Sequence, residues 1–183
     1  MAARGMTLVV SGARPVQVPP PLLILGGTGT WGWWMPVAVM VALAVLFSLV
    51  LRYTQFGRAL YAVGGNAEAA RLSGIRVWRT RIATFALTGF LAAFSGIILS
   101  SRIMSGSSNI AQGLEFEVIA AVIIGGTSLM GGVGTIAGTF LGVLFIGLLG
   151  NGMVLMGINP FAQEVIRGLI ILAAVLVSVI RKR

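Results

Sequence analysis

Five apolar runs, residues 35–51, 82–100, 118–130, 133–150 and 163–180, dominate the chain and hold very few ionisable side chains. A helix crossing the ~30 Å hydrocarbon layer of a bilayer needs about 20 such residues, with a range of about 17 to 25. Four of the runs reach or approach that length. Across all 183 residues only 9% are charged, against about 25% in an ordinary soluble domain. Four acidic and thirteen basic residues cannot blanket a water-exposed surface, so the rest of that surface faces lipid. The expected fold is all-α, a polytopic transmembrane helical bundle of about five spans.

The run at 118–130 is the exception, at thirteen residues, and it leads into Gly125-Gly126-Thr127-Ser128-Leu129-Met130-Gly131-Gly132-Val133-Gly134. Such glycine density breaks a helix. Irregular backbone at membrane depth is tolerated only where protein or a water-filled path shields it, so this stretch is expected to lie buried among other helices. Unwound segments of this kind recur at the solute sites and moving parts of transporters. Gly125, Gly126, Thr127, Ser128, Gly131 and Gly132 are therefore candidates for packing or gating. Gly134, Gly138 and Gly142 follow at intervals of four, which stacks them on one helix face where two backbones can approach closely. Plain helix packing is the simplest reading of that face.

Basic residues set orientation. Arg52, Arg58, Arg71, Arg76, Arg79 and Arg81 fall in the connection 52–81, and Arg181, Lys182 and Arg183 in the tail. Both clusters are expected on the cytoplasmic side. Four crossings separate them, so the first span enters from outside, giving five spans with the N-terminus out and the C-terminus in. Residues 1–34 read as an external loop and interfacial segment, without the uninterrupted apolar core of a cleaved leader. Trp31, Trp33 and Trp34 mark a membrane boundary, where amphipathic indoles favour the headgroup layer. The +9 charge thus speaks for orientation, not for nucleic acid.

Within the connection, Asn66 suits an N-cap, Glu68 a first turn, Arg71 the opposite end and Gly74 a stop. This spacing predicts a two-turn helix over residues 67–73, with Ala67, Ala69 and Ala70 permitting close approach by a partner. So short a helix is unstable alone in water and must be held by something. It reads either as a docking element or as a connector lying in the headgroups. Glu115, Glu117, and Glu164 with Arg167 as an i, i+3 pair, read as ordinary interfacial chemistry.

The chain has no Cys, His or Asp, so no catalytic residues and no metal site are expected, and an enzyme is improbable. A phosphate-cradling loop would need Gly-x-x-x-x-Gly-Lys-Ser/Thr, and the single Lys182 has no such setting. The chain therefore binds no ATP by that route. Ion coupling would place ionisable residues mid-span, where they are scarce. Any pumping must come from a partner.

With these residues laid out, the chain resembles the membrane permease subunit of ribose-type carbohydrate ABC importers. The resemblance is carried by residues 52–66 (RYTQFGRALYAVGGN), 64–75 (GGNAEAARLSGI) and 120–134 (AAVIIGGTSLMGGVG). It implies one half of an inverted-repeat permease, the C-terminal five spans of a protein with about twice as many, and hence a fragment, a mis-started gene or a degenerate copy. It further implies an ATPase-coupling loop containing Gly64, Gly65, Asn66, Glu68, Ala69, Arg71 and Gly74. The expected role is a path for a monosaccharide or similar solute across the bacterial inner membrane. Expected partners are cytoplasmic ATP-binding subunits that hold the only cofactor, a second permease subunit, an external solute-binding protein and lipid. The sequence singles out no solute-binding side chain. The alternative reading is a small membrane scaffold or assembly protein that transports nothing.

The charge count makes the topology testable. Reporters placed near Gly64 and after Lys182 should read cytoplasmic and one near Ser107 external; a cytoplasmic signal at Ser107 would overturn the five-span arrangement.

Overall fold

A computed structural model describes residues 2–12, 14–27, 32, 34–107 and 111–180. The chain is mostly helical. The helices are α1 (Ala2–Ser11), α2 (Pro20–Leu23), α3 (Trp34–Tyr53), α4 (Gln55–Gly65), α5 (Ala67–Leu72), α6 (Val77–Ile103), α7 (Leu114–Ile124), α8 (Ile136–Leu155) and α9 (Pro160–Ile180), with a 3-10 turn at Ile24–Gly26 and two short strands. Trp31, Trp33, residues 28–30 and the basic tail 181–183 lie outside the described residues. Among the described residues, α3, α6 and α8 are long and apolar enough to cross a membrane.

Contacts group the chain into two units. The first comprises Met1–Leu43 and Arg81–Gln112, the second Ala44–Thr80 and Gly113–Arg183. In the first, β1 (Val16–Gln17) pairs antiparallel with β2 (Ser105–Gly106). Beside this pair, Ser101 is fully buried and donates its hydroxyl to the Leu22 carbonyl at 2.6 Å. Gly26 lies directly on the Ser101–Arg102 backbone. The stretch 16–26 is thereby pinned to the end of α6. Residues 1–34 were expected as loop, yet they contain α1 and α2. Neither helix needs the length of a span: α1 ends at Gly12, whose φ is +58°, and Pro20 and Pro21 occupy the first turn of α2, where a missing N–H leaves no bond unmade.

The second unit is built around α7. Among the described residues, Ala120, Ala121 and Ile123 on this helix supply half of the buried apolar side chains. α7 packs against both α8 and α9. The α7–α8 contact is made through glycine. A Cβ at Gly142 would fall onto the Ala121 carbonyl oxygen, and one at Gly138 onto that of Gly125. Between helices in lipid no hydrophobic driving force remains, and association rests on such close van der Waals approach. By contrast α3, for all its apolar character, has no fully buried residue.

The connection 52–81, expected as a loop with one short helix, is largely helical. α4 was not foreseen. It starts at Thr54, whose hydroxyl accepts the Gly57 N–H at 3.2 Å. Its three glycines lower helix propensity, and a tertiary contact described below supports them.

The glycine packing gives a direct test on one helix. Gly142→Leu should sharply lower the yield of folded chain, because the added side chain meets backbone, whereas Gly152→Leu, with open space at its Cβ, should not; size-exclusion recovery in detergent after heating compares them.

Candidate functional site

Helix α5 is closed at both ends by local hydrogen bonds. Asn66 Oδ1 accepts the N–H groups of Glu68 and Ala69, both at 3.0 Å. At the other end Gly74, with φ +82°, lets its N–H reach the Arg71 carbonyl and the Ile75 N–H reach that of Ala70, both at 3.0 Å. That pair of bonds is the Schellman stop. The helix thus runs one residue shorter than its predicted 67–73. Ala70 is 3% exposed and faces inward. Glu68, Ala69, Arg71 and Leu72 are exposed.

Asn66 serves two helices at once. Its side chain caps α5, while its own N–H closes α4 on the Ala62 carbonyl at 3.0 Å. α4 and α5 are in turn packed on each other.

The glycine-rich break begins where α7 stops. Gly126, at φ +85°, ends the helix with the Thr127 N–H returning to the Val122 carbonyl at 3.1 Å. The chain then folds back on itself, Ser128 N–H bonding the Val133 carbonyl at 2.9 Å. Thr135 restarts the helix, its hydroxyl accepting the Gly138 N–H at 3.0 Å. Gly134 lies under the Thr127 side chain.

The break and the basic connection meet. A Cβ at Gly64 would come within 2.6 Å of the Gly132 nitrogen, and one at Gly132 within 2.7 Å of the Gly65 Cα. Two glycine pairs, Gly64–Gly65 and Gly131–Gly132, therefore touch backbone to backbone. No other residue type fits here, since Gly131 and Gly132 also hold φ of +90° and +78°. Beside them the Tyr61 hydroxyl donates to the Gly134 carbonyl at 2.7 Å. A cavity of about 270 Å³ next to this contact is lined by Leu60, Tyr61, Thr127, Ser128 and Thr139 among others. Sequence reasoning chose both glycine sets without pairing them and missed Tyr61. A signal existed: Gly64-Gly65 and Gly131-Gly132 are two small-residue steps, each at a helix end or break.

A second constellation lies between α7, α8 and α9. Arg167 Nη1 donates to Glu117 Oε1, an ion pair from α9 to α7. This corrects the expected pairing of Arg167 with Glu164. The packing of α9 on α7 carries Arg167 to Glu117, leaving Glu164 exposed. The pair borders a cavity of about 340 Å³ that Gly147, Gly150, Asn151, Met153 and Ile170 also line. Glu117 and Arg167 are part-exposed, at 29% and 39%. Among the described residues no cluster of His, Cys, Asp and Glu could hold a metal ion.

Comparison with known proteins assigns the class. The family model described as a branched-chain amino acid transport system permease component matches residues 5–175. The chain belongs to this permease family. It is 50% identical over 98% of its length to the probable ABC transporter permease YphD of Escherichia coli, covering 54% of that protein. It is 44% identical over 94% of its length to the L-arabinose transport permease AraH of the same organism, and 41% over 96% to the ribose import permease RbsC of Bacillus subtilis, covering 53% and 55% of them. The chain thus spans about half the length of the curated relatives it matches. No solved structure matches it. As a member of a family of transport permeases, which are not enzymes, it is a membrane protein.

The contact between α4 and the break predicts a local effect. Tyr61→Phe removes a hydrogen bond worth about 1 kcal/mol net, so amide exchange across 128–135 should quicken by about fivefold while exchange in α9 stays unchanged.

Proposed function

We propose that this chain is a permease subunit, or half of one, in an ATP-binding-cassette importer for a monosaccharide. The observation that carries this reading is the seat of Gly64–Gly65 on Gly131–Gly132. It joins a charged, capped, partly exposed helix to an irregular segment between two packed helices. A partner that pushes on α5 acts, through α4, on the break. Such breaks suit the moving part of a transporter, because helix ends and freed carbonyls lie where a solute can pass.

In this reading the connection 52–81 is cytoplasmic and Glu68, Arg71 and Leu72 face an ATP-hydrolysing subunit. ATP is bound there and not by this chain. Gly125, Gly126, Thr127, Ser128, Gly131, Gly132, Gly134, Gly138 and Gly142 form the packing and gating region. In this reading the chain has five spans, an outward N-terminus and an inward C-terminus in a bacterial inner membrane, and the arginine count supports that orientation. A second permease subunit and an external solute-binding protein complete the importer. The solute class follows the relatives: the names of two of them specify arabinose and ribose, which favours a pentose or a similar polyol over the amino acids of the family description.

The test separates insertion from coupling. Coexpressed with the ATP-binding subunit, the Glu68→Arg, Arg71→Glu double variant should reach the membrane at the normal level, since neither residue is in a span. Reversing both charges opposes the helix dipole and the contact surface, so ATPase co-purification should fall by about tenfold. Unchanged co-purification would leave 52–81 as a connector lying in the headgroups.

A further inference from the structure

The cavity between α7, α8 and α9 has no part in the coupling contact, and its lining is unlike that of the smaller one. It combines one guanidinium, one carboxylate and one carboxamide, from Arg167, Glu117 and Asn151, with apolar walls from Ile146, Met153 and Ile170. We propose that it is a binding site for a neutral, polyhydroxylated solute of monosaccharide size, with Glu117, Arg167 and Asn151 as the hydroxyl-binding side chains. This inference rests on the permease reading and adds to it the place where the solute is held.

Three features point to that chemistry. The first is hydrogen-bonding capacity. The single bond from Arg167 to Glu117 uses one of five guanidinium N–H groups and one of about four carboxylate lone pairs, and an amide offers both donors and acceptors. Neighbouring hydroxyls, each donor and acceptor, match such an alternating set. The apolar walls suit the C–H face of a sugar ring.

Charge is the second. Among the described residues, Glu117 and Arg167 are the only charged ones in the lining, and they neutralise each other. A neutral solute can share their remaining sites without parting them. A lone cation or anion would instead leave the lining with an unbalanced charge, which is costly as the site loses water.

Space is the third. Binding pockets for small molecules occupy about 300 to 1,000 Å³, so a cavity of about 340 Å³ suits a single small ring. Two glycines keep it open. A Cβ at Gly147 would meet nothing within 4 Å, and one at Gly150 would meet only Arg167 Nη2, at 3.7 Å. Here the glycines of α8 make room for volume, unlike Gly138 and Gly142, which make room for a backbone.

Since the chain contains no cysteine, a single introduced thiol reports on the cavity alone. The full chain bearing Gly147→Cys, in lipid nanodiscs, is labelled with a maleimide in the presence of D-ribose, L-arabinose or L-leucine. Either pentose should slow labelling, by about tenfold at about nine times its dissociation constant. Gly152→Cys, on the same helix but outside the lining, should be unaffected. Adding Glu117→Gln should raise the pentose concentration needed by about tenfold. Equilibrium binding of labelled ribose to the unsubstituted chain, abolished by Gly147→Leu, gives a readout without a thiol. Absence of protection and of ribose binding overturns the proposal, as does protection by leucine alone or equal protection at Gly152→Cys. If ATP-binding subunits still co-purify in that event, the permease reading stands without this site; if they do not, both fall.

Discussion

Bare backbone against bare backbone is the contact on which the second unit of this protein depends. Apolar side chains drive helices together in water because water is expelled; in a bilayer the surrounding tails are as apolar as the side chains, and that drive disappears. What remains is proximity. The chain achieves it by omitting side chains along particular lines, at Gly138 and Gly142 against Gly125 and Ala121, and at Gly64 and Gly65 against Gly131 and Gly132. The short α7 is held in this way, with α8 on one side and α9 on another. Its irregular continuation was expected to lie buried among helices, yet Leu129, Met130 and Val133 are exposed; it is held instead by its own turn, Ser128 N–H to the Val133 carbonyl, and by the Gly64–Gly65 contact.

Much of this was legible in the amino-acid order, and for identifiable reasons. Long apolar runs gave α3, α6, α8 and α9 because length and composition decide such helices locally. Asn66 and Gly74 marked the ends of α5 because capping is also local, needing only residues within one turn. The break after residue 124 was visible as glycine density. The helix α4 was not visible, because its glycines argue against it and its support comes from residues almost seventy positions away. The pairing of Arg167 was missed on the same ground: sequence spacing favours Glu164, and only the packing of α9 on α7 brings Glu117 within reach. Local rules cannot anticipate a partner fifty residues distant.

Glycine serves three separate ends in this chain, and only position tells them apart. At Gly74 and Gly126 it turns the backbone out of a helix. Gly138 and Gly142 admit a neighbouring main chain, Gly131 and Gly132 combine both duties, and Gly147 and Gly150 leave space beside an ion pair. A spacing-of-four pattern identifies the first members of the α8 series but says nothing of where the series changes purpose. The change falls between Gly142 and Gly147, where α8 passes from the foot of α7 to the level of Glu117 and Arg167.

The shared use of Asn66 has a mechanical meaning. Two helices that meet at a single residue, one ending on its amide and the other beginning on its carboxamide, have no slack segment between them to absorb a displacement. They form a crank with one pivot: two backbone torsions at Asn66 are the only freedom, and the packing of α4 on α5 braces even that. A linker of several flexible residues would dissipate a small movement at Leu72 before it reached Gly64. In the proposed coupling role, this elbow gives a movement at Leu72 a short, braced route to Gly64 and to the two glycines it rests against.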